Sequence, residues 1–491
     1  MKKFPLVALS ILSGCMVGPN YQTPESNVCD TWNAENNTVD PNEAPLTEWW
    51  TIFDDPLLNK YIEMAKEFNQ DVKVAEANIL QARALRQVAA SSLFPQIGSD
   101  INATRTYFSK NGPIFAIGPA AGDPGITTSN ATGLDFSPQI PQIQNLFNFL
   151  FDASWEIDLF GKTRRSVEAA NANIETAIEQ KNDTLISVMA EVARNYIELR
   201  SFQKQVALIE ENIALLEKKA KIIEKQFEYG YVSKLDIETI LAALATERSS
   251  LPNIQAEVYR SIYTLSLLTG NMPEALVDDL VTAKPLPKAP EKIAVGLRSD
   301  LLRRRPDIRR AERQLASATA NVAVAVASFF PTFTLSGDIG LQSLKLPTLF
   351  NLASKTWAYG GDLNTPIFQG GLLTGNLSAS RAIAEAANFT YSQTILRALQ
   401  ETESALIAYN KELKAAAELL IATEKNKELV FLSQERHTKG LISLLSLLDT
   451  ERQLNAAEQS ALSSDTSALL GLISLYKALG GGWQPTELPC Q

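Results

Sequence analysis

The chain has 491 residues, 45 Lys+Arg against 55 Asp+Glu, and a formal net charge of −10. An acidic balance argues against nucleic acid as a partner. The length admits about three ordinary domains, and no apolar run reaches the roughly 18 residues a membrane helix needs. If the chain crosses a membrane, strands must carry it.

Residues 1–14 read as a signal peptide: Lys2 and Lys3 form a basic start and Phe4 to Leu12 a short apolar stretch. Leu12-Ser13-Gly14-Cys15 resembles the lipobox of bacterial lipoproteins, which makes Cys15 the expected lipidated residue. Lipid chains anchor a protein but do not span the bilayer. Cys29 and Cys490 lie near the two mature ends and are too few for a disulfide scaffold; they either pair or stay free.

Residues 15–55 read as an extended leader. Asp54 or Asp55 can cap a helix with Pro56 at its first position, and that helix is expected to run to about Leu93, where Phe94-Pro95 stops it. Gln96 to Phe108 alternates weakly: Ile97, Ile101, Ala103 and Tyr107 against Asp100, Asn102, Thr104 and Thr106. The Gly- and Pro-rich stretch 109–144 reads as a long exposed loop.

The stretch Leu146 to Leu159 alternates strongly. Phe147, Phe149, Phe151, Trp155 and Ile157 share one face; Asn148, Asp152, Ser154, Glu156 and Asp158 share the other. This is the period of a two-faced strand. Then Lys162 to Phe227 carries apolar residues at 3–4 spacing, from Leu185 and Val188 to Ile223 and Phe227, as in a coiled coil. At 1.5 Å per residue such a helix spans roughly 100 Å. Tyr229-Gly230-Tyr231 breaks it, Ser233 starts a return helix, Leu251-Pro252 kinks or splits that helix, and Thr269-Gly270-Asn271 ends it. Residues 271–298 form a Pro-rich connector.

The second half replays the first. Asn69-Gln70-Asp71-Val72 aligns with Arg305-Pro306-Asp307-Ile308, and Leu93-Phe94-Pro95 with Phe329-Phe330-Pro331, at one offset; Gly230-Tyr231-Val232-Ser233 aligns with Gly440-Leu441-Ile442-Ser443 at a shorter one. A coarse tandem period signals architecture. The expected repeats are 56–270 and 299–479, with a short tail at 480–491. The second repeat adds a third strand (Phe333, Leu335, Ile339 and Leu341 opposed to Thr334, Ser336, Asp338 and Gln342) and a fourth (Trp357, Tyr359, Leu363 and Ile367 opposed to Thr356, Asp362 and Asn364). A long helix from about Leu372 to His437 and a return helix from Ser443 to about Leu479 follow.

Four two-faced strands cannot span a bilayer alone, because open edges leave backbone groups unpaired in hydrocarbon at several kcal/mol each. Two copies give eight strands, an interior about filled by side chains; three give twelve, enough for a lumen. The expectation is a homotrimer with mixed α and transmembrane β structure. The polar faces (Asp152, Ser154, Glu156 and Asp158; Thr334 and Asp338) are expected to line water, and Phe147, Phe151, Trp155, Phe333, Trp357 and Tyr359 to face lipid.

These residues resemble the outer-membrane factors, the TolC-like and NodT-like exit ducts of tripartite efflux pumps and type I secretion systems. The carriers are Leu12-Ser13-Gly14-Cys15, Val17-Gly18-Pro19-Asn20-Tyr21, Trp49-Trp50-Thr51-Ile52-Phe53, Trp155-Glu156-Ile157-Asp158-Leu159-Phe160-Gly161, Leu302-Arg303-Arg304-Arg305-Pro306-Asp307-Ile308 and the two Gly-x-x-Ser turns. The resemblance implies a trimeric twelve-stranded barrel in the outer membrane, set on a periplasmic α-barrel of long antiparallel coiled-coil helices. It also implies docking to a periplasmic adaptor protein and an inner-membrane transporter of the RND type. Within it, the turns at Gly230/Ser233 and Gly440/Ser443 form the periplasmic mouth and the partner-docking candidates. The usual pair of aspartates after the second turn falls here on Ser446 and Asp449, and the first turn offers Asp236. Acid rings at these positions concentrate cations.

Arg298, Arg303, Arg304, Arg305, Arg309, Arg310 and Arg313 make a basic cluster whose resemblance reading is pairing with carboxylates. The only histidine is His437, one turn before Gly440, where it suits a helix C-terminus. The sequence offers no catalytic constellation, metal site, nucleotide loop or cofactor motif, and the resemblance implies a passive duct for small toxic compounds and drugs. Protein secretion, or a lipid-anchored coiled-coil scaffold that transports nothing, are the alternatives.

Overall fold

The computed structural model describes residues 16–24, 32, 39–40, 47–109, 141–288, 290, 293–296 and 298–483. The expected signal peptide with Cys15, the two remaining cysteines Cys29 and Cys490, most of the leader and most of the loop between the first two strands lie outside them. In chain order the elements are β1 (Val39–Asp40), α1 (Pro56–Phe68), α2 (Gln70–Ser91), β2 (Gln96–Tyr107), β3 (Ile143–Ile157), α3 (Lys162–Glu228) and α4 (Lys234–Leu268). Then follow α5 (Val277–Leu280), β4 (Ile293–Ala294), α6 (Leu301–Arg304), α7 (Pro306–Ala327), β5 (Thr332–Ser343), β6 (Lys355–Asn364), α8 (Leu372–Thr438) and α9 (Leu444–Ala478). Elements recur at equal length: α2 and α7 have 22 residues each, β2 and β5 have 12, α3 and α8 have 67, and α4 and α9 have 35.

The chain divides into two compact units. The first holds the sheet, in the order β2-β3-β5-β6, every neighbour pair antiparallel. Period two sorts its residues as the alternation requires. Across one face run Ile101, Phe149 and Leu341, then Phe151, Ile339 and Trp357, then Trp155 and Leu335, then Ile157, Phe333 and Leu363. Across the other run Asn102, Asn148 and Gln342, then Asp152 and Asp338, then Glu156, Thr334 and Asp362. The sheet does not close on itself: among the described residues β2 and β6 each have one unpaired edge. The strand from Ile143 starts three residues before the expected Leu146 and ends at Ile157. Ile367 falls beyond the end of β6 at Asn364.

The start of the described chain straps this unit. The Val17 amide donates to Phe160 O at 3.2 Å, and the Arg165 guanidinium donates to Asn20 Oδ1 at 2.5 Å. Gly18, at φ 92°, lies where a Cβ would stand 2.6 Å from Ala323, so only glycine fits. Asp158 starts α3 by accepting from the Thr163 and Arg164 amides at 3.2 and 2.9 Å.

The second unit is helical around one large apolar core. A 3₁₀ turn at Trp49–Phe53 buries Trp49 and Trp50, and Trp49 stacks on Tyr476 of α9 at 5.6 Å and 8°. Asp54 closes that turn at φ 48°, and Asp55 caps α1 by accepting from the Leu57 amide at 2.9 Å, which resolves the two candidate caps. Tyr196 donates to the second Asp55 oxygen at 2.5 Å, and the buried Arg200 donates to Tyr196 and Gln203. β1 pairs in parallel with β4, tying leader to connector.

Two expectations need correction. The helix expected from Pro56 to about Leu93 is two helices. Asn69 sits between them in extended backbone, and its Oδ1 accepts from the Asp71 and Val72 amides at 2.8 and 3.3 Å. Its Nδ2 donates to Leu268 O at 2.8 Å, so α4 rewards the break. Nor does Pro252 split the return helix: α4 runs unbroken over 35 residues with Pro252 inside it. No helix among the described residues is long and apolar enough to cross a membrane.

Candidate functional site

The candidate mouth is built by the α3–α4 and α8–α9 turns, both in the helical unit. α3 ends in a left-handed glycine closure: Gly230, at φ 78°, donates to Phe227 O at 2.8 Å, and Tyr231 donates to Gln226 O at 2.8 Å. α8 ends the same way, with Gly440 at φ 69° donating to His437 O at 2.9 Å and Leu441 to Arg436 O at 2.9 Å. Nothing lies within 4 Å of a Cβ at either glycine, so the requirement is backbone conformation alone.

The return helices start unequally. At α4 the Ser233 amide and hydroxyl both donate to Asp236 Oδ2, at 2.9 and 2.6 Å, and the Asp236 amide donates back to Ser233 Oγ at 3.4 Å. This reciprocal box satisfies two otherwise free donors. At α9 Ser443 accepts from the Ser446 amide at 3.2 Å, and Ser446 has no carboxylate to return the bond. The hydrogen bond from the Ser233 hydroxyl, its amide second, holds the Asp236 carboxyl below the usual aspartate range, with His437 a smaller contributor. Asp236 is thus the carboxylate half of a helix cap. His437 donates through Nδ1 to Ile442 O at 3.2 Å, the helix-end role its position suggests.

The structure packs the two turns together. Ala220, Ile223, Ile240, Leu444 and Leu448 form a small apolar cluster drawn from α3, α4 and α9. Beside it is a groove of about 970 Å³ between all four helices, with Lys219, Thr239, Glu247, Asp449, Glu451 and Arg452 on its walls. Asp449 is exposed there, and so is Ser446. Lys219 pairs with Glu451 across the groove, and Arg248 of α4 pairs with Glu217 of α3 at 2.6 Å. These pairs went unread in the sequence, where Lys219 and Glu451 are 232 positions apart. The tips expose Tyr229, Tyr231, Leu441 and Leu445.

The arginine cluster is a ladder of ion pairs. Arg305 binds Asp307 and Glu401 at 2.6 and 2.8 Å and donates to Ala478 O, closing α9. Arg309 pairs with Glu179 at 2.7 Å, Arg310 with Asp183 at 2.9 Å and Arg313 with Glu175 at 2.9 Å, stitching α7 to α3. Burial raises the Glu179 and Asp183 carboxyls despite these partners. Among the described residues no group of three or more His, Cys, Asp or Glu is placed to hold a metal ion.

A two-faced sheet that, among the described residues, has two unpaired edges, together with two helices of 67 residues, has the features expected above of an outer-membrane duct. Comparison with known proteins names the family. The description "Outer membrane efflux protein" matches residues 61–271 and 297–481. The toluene efflux pump outer membrane protein TtgF of Pseudomonas putida is 31% identical over 491 residues, covering 97% of this chain and 96% of the relative. Among solved structures, the outer-membrane channel OprN has a TM-score of 0.83 at 31% identity and covers 96% of this chain and 100% of its own. The CmeC outer membrane channel of Campylobacter jejuni has a TM-score of 0.84 at 25% identity, covering 96% of each chain. The chain belongs to the outer membrane efflux protein family, a family of transport proteins, and serves in the outer membrane as the exit duct of an efflux pump.

Proposed function

We propose that three copies of this chain form one passive channel, in which a periplasmic adaptor protein and an RND-type inner-membrane transporter supply cargo and energy. The observation that carries this reading is the sheet: it is apolar on one face, acidic on the other and open at both edges. Closing those edges with β2 and β6 of neighbouring copies pairs every backbone group in hydrocarbon. All neighbours being antiparallel, β6 of one copy meets β2 of the next antiparallel too, and three copies give a twelve-stranded barrel with a lumen. The equal element lengths support a tandem repeat, 56–270 and 299–479, whose long helices continue the barrel as a periplasmic α-barrel.

The turns at Gly230/Ser233 and Gly440/Ser443 are the mouth. Their exposed tyrosines and leucines, beside the charged groove, suit an adaptor's helical tip. Asp236 and Asp449 supply the mouth's acids, one per turn. Cys15 carries the lipid anchor. The cargo class is small apolar toxic compounds, on the likeness to TtgF, whose name states toluene efflux.

Two measurements test this. Full-length protein from outer-membrane fractions should run as a heat-modifiable trimer and conduct in planar bilayers. Deletion should sensitise cells to solvents and drugs. A non-conducting monomer would sink the reading in favour of a scaffold, and secretion defects without drug sensitivity would move it to protein export.

A further inference from the structure

The charges of the sheet are sorted by face. Asp100, Asp152, Glu156, Asp338 and Asp362 all lie on the polar face; Arg105 and Lys355 lie on the apolar one. β5 runs away from α7, so its end at Ser343 and the β5–β6 connection are at the helix-distant end. Lys355 is level with Leu341 and Phe149, and Arg105 stands four residues above the partner of Phe149, about 13 Å along the strand. The connection itself holds Lys345 and no acid.

That connection is folded onto the apolar face. The Phe350 ring lies 6.5 Å from the ring of Phe149, an apolar-face residue. The fold of the connection is fixed: Lys345 N donates to Ser343 Oγ at 3.2 Å, Thr348 Oγ1 to Lys345 O at 2.9 Å and Ser354 Oγ to Thr348 O at 2.7 Å, with Leu349 buried beneath. The result is an ordered knob exposing Leu346 (57%), Phe350 (75%) and Leu352 (88%), with Lys345 within it, Lys355 at its end and Arg105 on β2 at the same end of the sheet; none of the three cations has an ion-pair partner among the described residues. Rigid apolar side chains held out this far are costly in water.

We propose that this knob and its three cations bind phosphorylated lipid of the outer leaflet. Leu346, Phe350 and Leu352 enter the acyl region as an outward extension of the lipid belt, and Arg105, Lys345 and Lys355 meet the headgroup phosphates. Two observations select this occupant. The knob is continuous with the apolar face through the Phe149–Phe350 contact, and its charges have the sign that a phosphate-rich surface attracts. The proposal rests on the sheet being the membrane-spanning part, and it adds a ligand class that the duct function does not require.

The test uses the full-length protein in phosphatidylethanolamine vesicles doped with phosphorylated lipid A or with its dephosphorylated form. Lipid retained after mild detergent extraction is quantified, and conductance is recorded from the same vesicles. The wild type should retain the phosphorylated form up to about a hundredfold better, from three cations. Each Lys or Arg near an anionic surface contributes about fivefold, so R105Q/K345Q/K355Q should lose nearly all preference, while K345R/K355R keeps it. F350S/L352S should lower retention of both lipids. Equal retention by wild type and the triple Gln variant in conducting vesicles overturns this proposal alone. Full competition by inorganic phosphate overturns the lipid as ligand. Vesicles that never conduct, with correctly folded protein, overturn the duct reading and this proposal with it.

Discussion

Asp152 of β3 stands directly across from Asp338 of β5 on the polar face of the sheet. Like charges in opposed positions destabilise a strand pair, by up to about 1 kcal/mol. A fold keeps such a pair when the face it decorates is wet and the charge is useful. In the proposed trimeric barrel, water along the lumen would screen the repulsion, and the three copies would ring the duct with six carboxylates at this level. Asp338→Asn should therefore leave the protein as stable or slightly more so, and shift the reversal potential of the channel away from cation preference. Bilayer recording under a salt gradient, beside a thermal melt, reads both. An unchanged reversal potential would remove the sheet's acids from the conduction path.

The α3–α4 and α8–α9 turns differ in one bond set, and that difference is measurable. Ser233→Ala removes the hydroxyl that accepts from the Asp236 amide and donates to its carboxylate, leaving the backbone amide bond to that carboxylate in place; Ser443→Ala removes one that only accepts, from the Ser446 amide. Loss of a Ser cap costs about 1 kcal/mol, and the first change should exceed the second because it also loses the hydroxyl's bond to the Asp236 carboxylate. That carboxyl is lowered in the folded state, so its contribution is complete above the unfolded aspartate value, about 4, and fades as pH falls through the lower folded one. Asp236→Asn should flatten the acid limb of stability against pH. Hydrogen exchange at the starts of α4 and α9, as a function of pH, separates the two turns.

Much of this was legible because period is a long-range signal written in local residues. Strand alternation at Phe147 to Ile157 and the 3–4 spacing along α3 read directly, as did the helix ends, where glycine at positive φ has few substitutes. What stayed hidden depends on partners distant in sequence. Trp49 and Trp50 look like exposed aromatics until Tyr476 is beside them, and the Lys219–Glu451 pair has no local mark. The break at Asn69 was half visible: the repeat aligns it with Arg305, the residue before Pro306, where α7 starts. The capping power of Asn at that place, with no proline to announce it, was the missed signal. At the proposed mouth, the residues follow from resemblance, whereas the capping role of Asp236 depends on the Ser233 amide and hydroxyl facing its carboxylate.

That break yields its own prediction. Asn69→Ala removes the cap of α2 and leaves Leu268 O without its side-chain donor in a buried setting. A lost cap costs about 1 kcal/mol, and an unmet buried acceptor adds about 1 to 3. Asn69→Ser keeps a cap and loses only the amide donor to Leu268 O, so it should recover about half. Denaturant midpoints of the two variants, compared with wild type, give the split; equal midpoints would mean that α1 and α2 simply merge into one helix.

The Glu179–Arg309 pair is the place where burial and pairing oppose each other most openly. Glu179 is 5% exposed in its side chain and Arg309 25%, with 2.7 Å between their charged atoms. Burial raises the carboxyl and the guanidinium pulls it down; burial wins. A carboxyl raised on folding binds protons more readily in the native state, so its ionisation costs stability as pH climbs through the raised value, and acidification from neutrality returns it until the unfolded value is reached. Arg309→Ala would leave that buried carboxylate without its ion-pair partner and held by the Asn182 amide at 3.2 Å, at about 3 kcal/mol, the low end for a broken buried pair because Arg309 is partly solvated. The charge-free double variant Arg309→Met with Glu179→Leu should recover most of that loss, since matched apolar groups need no desolvation. Melting temperatures of the detergent-solubilised protein at neutral and mildly acidic pH test the scheme. The single variant should gain more than wild type on acidification, because protonation removes the stranded charge, and the double variant should show no such gain. If the single variant instead weakens with acid, the pair is held by its Coulomb attraction rather than strained by burial.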